Sequence, residues 1–189
     1  MIKRGDRKQF KEFLSFVKEN KHKYNQVRLK LNRLIENDVD LNQKGYMGKT
    51  LLHIAIKLKD KKLLQMFINS GVYIDLADSF GIAPIHYAIQ NNRIDMVEVL
   101  VENGADINIG AEMEATPLHY AVSISSLPII KYLINNGADY NLVDESNLSP
   151  LDYAIDEQNI EIIKYFLDKN VSEEKINKMK QILEGKKLC

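Results

Sequence analysis

Cysteine is almost missing from this chain: Cys189, the last residue, is the only one. A single thiol makes no intrachain disulfide and cannot assemble a cysteine zinc site, so a reduced setting is expected. No apolar run approaches the roughly 20 residues that a helical membrane span requires. The opening MIKRGDRKQF has no apolar core of the kind a secretory leader carries. Nucleophile elbows, phosphate-binding glycine loops and zinc-protease motifs are also missing. Together these absences predict a soluble, cytoplasmic, non-catalytic protein without metal or cofactor.

What is present is ordinary for a folded chain: 45% hydrophobic and 28% charged residues over 189 positions, enough to bury a sizeable core. The formal net charge is zero but unevenly distributed. Residues 1–66 hold 17 Lys+Arg against 7 Asp+Glu, and residues 67–189 hold 9 against 19, giving local balances of +10 and −10. Helical units stacked in chain order would therefore form an electric dipole along the stack.

Sliding the sequence on itself by 33 residues exposes a repeat. Thr50-Leu51-Leu52-His53-Ile54-Ala55 aligns with Ala83-Pro84-Ile85-His86-Tyr87-Ala88, then with Thr116-Pro117-Leu118-His119-Tyr120-Ala121 and Ser149-Pro150-Leu151-Asp152-Tyr153-Ala154. A second block keeps the step: Gly71-Val72-Tyr73-Ile74-Asp75, Gly104-Ala105-Asp106-Ile107-Asn108 and Gly137-Ala138-Asp139-Tyr140-Asn141, with a degraded copy at Asp38–Asn42. Thr50, Thr116 and Ser149 can cap a helix start, and Pro84, Pro117 and Pro150 suit its first position, which needs no N–H donor. Ala55, Ala88, Ala121 and Ala154 let neighbouring helices approach. A second helix follows each time, with apolar pairs such as Leu63-Leu64/Phe67-Ile68 at helical spacing. Glycine then ends it.

These blocks and their step resemble the ankyrin-repeat family over roughly residues 25 to 170. The resemblance implies an all-α ankyrin-repeat solenoid of helix pairs, joined by β-hairpins or loops that project as fingertips, with a concave groove lined by the first helices. On that pattern, His53, His86 and His119 are structural hydrogen-bonding residues. A metal role would need ligands closer together than one repeat step. The expected organisation is a single domain: an N-terminal capping repeat over 1–42, repeats over 43–75, 76–108, 109–141 and 142–170, and a C-terminal capping helix over 171–189. Phe10, Phe13, Leu14 and Val17 predict a longer amphipathic first helix. Ser172 would cap a last helix with Ile176, Met179, Ile182 and Leu183 on one face. Three departures stand out. Ala83 lacks the capping hydroxyl, Asp152 replaces the motif His, and Glu114 and Asn147 replace the turn glycine found at Gly48 and Gly81.

The family binds other proteins, and three sets of residues are candidates for the contact. Apolar residues at the expected fingertips, Tyr46, Met47, Phe80 and Met113, have little structural reason to be there. Tyr87, Tyr120 and Tyr153, one repeat apart, form either an aromatic recognition strip or a half-buried framework row. The groove positions after the motif alanine are Lys57, Leu58, Gln90, Asn91, Ser123 and Ile124, followed by Asp156 and Glu157. The expected function is a protein-binding scaffold, monomeric, with no small-molecule substrate and an unidentified protein partner. The alternative is binding of nucleic acid or an anionic surface by the basic N-terminal third, from Lys3 and Arg4 to Arg33. No nucleic-acid motif accompanies those charges. Cytoplasmic residence has one alternative, delivery into a host cell as an effector.

Overall fold

A computed structural model describes residues 4–167 and 173–185. Lys3, Ser172 and Cys189 lie outside the described residues. Among those described, the regular structure is entirely helical, in two compact units: Met1–Ala88 with Asp95–Ala105, and Ile89–Ile94 with Asp106–Cys189.

The first unit begins with two longer helices, α1 (Arg4–Glu19) and α2 (Tyr24–Glu36), packed on each other. Phe10, Phe13 and Val17 of α1 and Val27 and Leu31 of α2 are buried, and all five fall at helical spacing. A short pair follows, α3 (Leu51–Lys57) and α4 (Lys61–Asn69), whose inner face holds Leu51, Leu52, Ile56, Leu63, Leu64 and Phe67. Phe13 meets Phe67 edge-on at 6.2 Å, which fastens the capping helix to the first repeat. Ala55 is fully buried, consistent with close helix approach. Gly71 follows α4 with φ 80°, the left-handed turn predicted for it. The chain then runs through α5 (Pro84–Gln90) and α6 (Ile94–Glu102), of which residues 84–88 and 95–102 belong to this unit.

In the second unit α7 (Pro117–Ser123) packs on α8 (Leu127–Asn135) and on α9 (Pro150–Asp156), which in turn packs on α10 (Ile160–Phe166). A last helix, α11 (Glu173–Gly185), contacts α9 and α10 and buries Met179.

The motif histidine is a structural joint. Thr50 N–H donates to His53 Nδ1 at 3.2 Å, and the Thr50 hydroxyl lies 2.8 Å from the same nitrogen. Nδ1 is thus an acceptor, which fixes the neutral tautomer with Nε2–H donating to the Ile82 carbonyl at 3.0 Å. One imidazole therefore closes its own helix start and grips the next repeat's loop. His119 repeats the arrangement with Thr116 and the Leu148 carbonyl, 2.9 Å away. Burial lowers the pKa of both rings, that of His53 to about 4. The motif asparagine does a similar job: Asn42 Oδ1 accepts from Tyr73 N–H at 2.6 Å, and Asn108 Oδ1 from Asp139 N–H at 2.9 Å.

Asp152 shows how the pattern ends. Its Oδ2 accepts from Ser149 N–H at 2.8 Å and from the Ser149 hydroxyl at 2.7 Å, the work of the His Nδ1. Where the other rings reach into a following repeat, Asp152 instead receives Lys175 of α11 at 2.7 Å. The substitution that breaks the motif thus converts a repeat-to-repeat joint into a cap joint.

Ala83 occupies the position of Thr50, Thr116 and Ser149 but has no hydroxyl to offer the α5 start. Ala83→Ser should restore that cap and stabilise the protein by about 1 kcal/mol. Thermal unfolding of the two proteins checks it, with an unchanged or lower melting temperature counting against the cap.

Candidate functional site

The segments between a helix pair and the next motif were expected as hairpins or loops, and among the described residues they are tight loops. Each is closed by one backbone bond across five residues: Gly45 to Lys49 at 2.8 Å, Asp78 to Ile82 at 3.0 Å, Ala111 to Ala115 at 3.0 Å and Asp144 to Leu148 at 2.9 Å. One such bond is too little pairing for a strand ladder.

Within each unit two tips are joined. In the first unit Ser79 N–H donates to the Met47 carbonyl at 3.1 Å, and in the second Glu145 N–H donates to the Met113 carbonyl at 2.9 Å. Met47 and Met113 both sit in left-handed backbone, φ 56° and 58°, inside a single 3₁₀ turn. That conformation is uncommon for a long side chain and is held here by the surrounding bonds. Gly48 lets the first junction pack as closely as it does. Its φ is 73°, and a Cβ there would come within 2.3 Å of Ser79 N. A methyl group cannot fit without moving the neighbouring loop.

Beneath each tip pair lies a buried aspartate. Asp78 Oδ1 accepts from Phe80 and Ile82 N–H at 2.9 and 3.1 Å, fixing the second tip's turn. Its Oδ2 receives Lys49 at 2.6 Å and the Tyr87 hydroxyl at 2.8 Å. Lys49 also hydrogen-bonds the Tyr87 hydroxyl, and its ammonium sits 3.8 Å from that ring's centroid. Burial pushes the Asp78 carboxyl up, but the Lys49 ammonium and the two N–H donors outweigh it, leaving a pKa below the ordinary carboxylate value. In the second unit Asp144 takes the same position, with Ser146 and Leu148 N–H at 2.9 and 3.0 Å and the Tyr153 hydroxyl at 2.6 Å. Ala115 stands where the first unit has Lys49. Donation to Asp144 pushes the Tyr153 hydroxyl up to about 12.

The candidate residues are distributed as follows. Tyr46, Met47 and Phe80 come together at the joined tips of the first unit, with exposures of 86%, 43% and 50%. Met113, 52% exposed, stands on the corresponding tip of the second unit among Glu112, Glu114 and Glu145. Tyr87, Tyr120 and Tyr153 are half-buried, and the hydroxyls of Tyr87 and Tyr153 are bonded to the buried aspartates. Those two tyrosines thus have a framework task. Lys57, Gln90, Asn91 and Ser123 are exposed at helix ends, whereas Leu58 and Ile124 are half-buried. Lys49, Asp78 and Asp144 were not among the candidates. The signal for them is a 66-residue echo, Asp78/Tyr87 against Asp144/Tyr153, double the step that the framework residues display.

Short helix pairs clamped by recurring His and Asn joints define a helical-repeat protein. The chain belongs to the ankyrin-repeat family: the model for ankyrin repeats (3 copies) matches residues 19–111 and 109–179. No curated protein matches it. Ankyrin repeats are in general modules of protein–protein interaction. No helix among the described residues is long and apolar enough to cross a membrane.

Proposed function

We propose that this chain is a non-catalytic binding module that takes a partner protein on the joined loop tips of its first unit. The observation that carries this reading is the cluster of Tyr46, Met47 and Phe80, large apolar side chains exposed on backbone that internal bonds hold in place. Exposed apolar side chains grouped in this way mark interaction sites more often than lone ones do. Aromatic and methionine side chains are also the ones enriched in interface cores. A tip already ordered by the Asp78 turn and the Ser79–Met47 bond loses little conformational freedom on binding, so more of the contact energy appears as affinity. The exposed helix-end position Lys57, in the same unit, would extend the contact.

Site-specific photo-crosslinking tests this directly. A photoreactive phenylalanine analogue is placed at Tyr46, at Phe80 or, as control, at the exposed α4 position Asn69. Adducts in source-cell or host-cell lysate should form from the two tip positions and not from Asn69. Adducts from Asn69 alone, or from none of the three, would contradict the tip assignment.

A further inference from the structure

The two tip pairs share a frame and differ in decoration. Their methionines have the same left-handed backbone, φ 56° and 58°, and their carbonyls accept the next tip's N–H at 3.1 and 2.9 Å. Each stands over a buried aspartate bonded to a tyrosine hydroxyl. The exposed groups are chemically opposed. The first pair shows Lys44, Tyr46, Met47 and Phe80, and its one carboxylate, Asp78, is wholly inaccessible and bound by Lys49. The second pair shows Glu112, Met113, Glu114 and Glu145 and no lysine.

The repeat that carries the first tip reinforces the contrast. Residues 43–75 contain six lysines and two acids, Asp75 and Asp60, the latter buried against the Tyr24 hydroxyl and the Leu63 N–H. An approaching chain therefore meets an apolar patch in a positive field. A field of this kind raises the encounter rate with acidic partners, and ionic strength screens it.

Resting on the reading that the first tips bind protein, the geometry points to the partner's chemistry: a short segment in which an aromatic or long aliphatic side chain is flanked by Asp or Glu. The apolar side chain covers Tyr46, Met47 and Phe80, and a flanking carboxylate meets Lys44 at the rim. A basic segment would face like charge at the first tip. An acidic one would be rejected by the glutamates of the second, so discrimination comes from repulsion as well as attraction. With the methionine backbone and the junction bond alike in both, the exposed side chains set which segment each tip pair takes.

The test is selection on the full chain from a library of random peptides of about twelve residues displayed on phage. Enriched sequences should place Asp or Glu beside an aromatic or aliphatic residue. A synthetic peptide from that pool should bind at least about tenfold more weakly to Met47→Ser/Phe80→Ser and to Lys44→Glu. Its affinity should fall with added salt and be unchanged by Glu112→Gln/Glu114→Gln, all variants melting as the parent does. Enrichment of basic sequences, of acidic sequences indifferent to the tip variants, or of none overturns the inference. Basic peptides lost on Glu112→Lys/Glu114→Lys would leave protein binding standing while sinking this assignment of its partner. The protein-binding reading itself falls only if photo-crosslinking from the tips also fails.

Discussion

Replacing Asp78 by alanine should lower the unfolding free energy by about 3 kcal/mol, a large share of what a domain of this size has to lose. Four donors converge on that carboxylate: the Phe80 and Ile82 N–H groups, the Lys49 ammonium and the Tyr87 hydroxyl. Removing one acceptor leaves all four without it, and buried donors deprived of a partner are costlier to the fold than the bond itself is favourable. Asp78→Asn should fall between, because an amide oxygen can still accept from the turn but offers no charge to Lys49. Urea unfolding near neutral pH measures both. A loss below about 1 kcal/mol for the alanine variant would mean that the network contributes little beyond its geometry. The aspartate also has a pH signature. Its folded pKa is depressed, so its contribution is present above the unfolded carboxylate value and is lost as pH falls through the folded one.

The second large effect lies at milder acidity and belongs to histidine. His53 has a folded pKa of about 4 because burial disfavours the cation, and because its Nδ1 already accepts from Thr50 and has no room for a proton. In the unfolded chain the ring protonates near 6.5. Between those values the unfolded state binds the extra proton, so stability is complete above about pH 6.5 and declines as pH falls toward 4. From about pH 7.5 to about pH 5 the expected loss from this ring alone is about 2 kcal/mol. His119, lowered in the same direction by the same cause, adds to it. Unfolding free energies across that range should show the slope, and His53→Gln, though less stable throughout, should show a shallower one. Equal slopes in the two proteins would rule out His53 as the source.

The sequence displayed the framework because each repeat must satisfy the same stacking constraints. The motif histidine, the small alanine, the second-helix pairs and the turn after Gly71 all recur at 33 residues, and repetition makes a constraint visible in one chain. The exposed tip residues were legible for the opposite reason: Met47 and Phe80 are apolar where a turn needs nothing apolar. What was hidden lies at long separation or at a longer period. Lys49 meets Asp78 and Tyr87 from 29 and 38 residues away, and no local pattern marks a lysine that folds back over a ring. The buried aspartates recur only at every second repeat, so a search at the basic step passes over them. Tyr87 and Tyr153 could be read as a recognition row because a tyrosine hydroxyl bonded beneath a loop has the same sequence as one left in water. Asp152 showed only that the last repeat differs, while its partner Lys175 lies beyond the repeat pattern altogether.

Once photo-crosslinking identifies a partner, the most direct test of the binding account is its affinity for the parent protein and for Met47→Ser/Phe80→Ser, measured by titration after both proteins are shown to melt alike. The account predicts that the variant binds at least about tenfold more weakly while remaining fully folded. Equal affinity in a natively melting variant would contradict it and move the interface away from the loop tips.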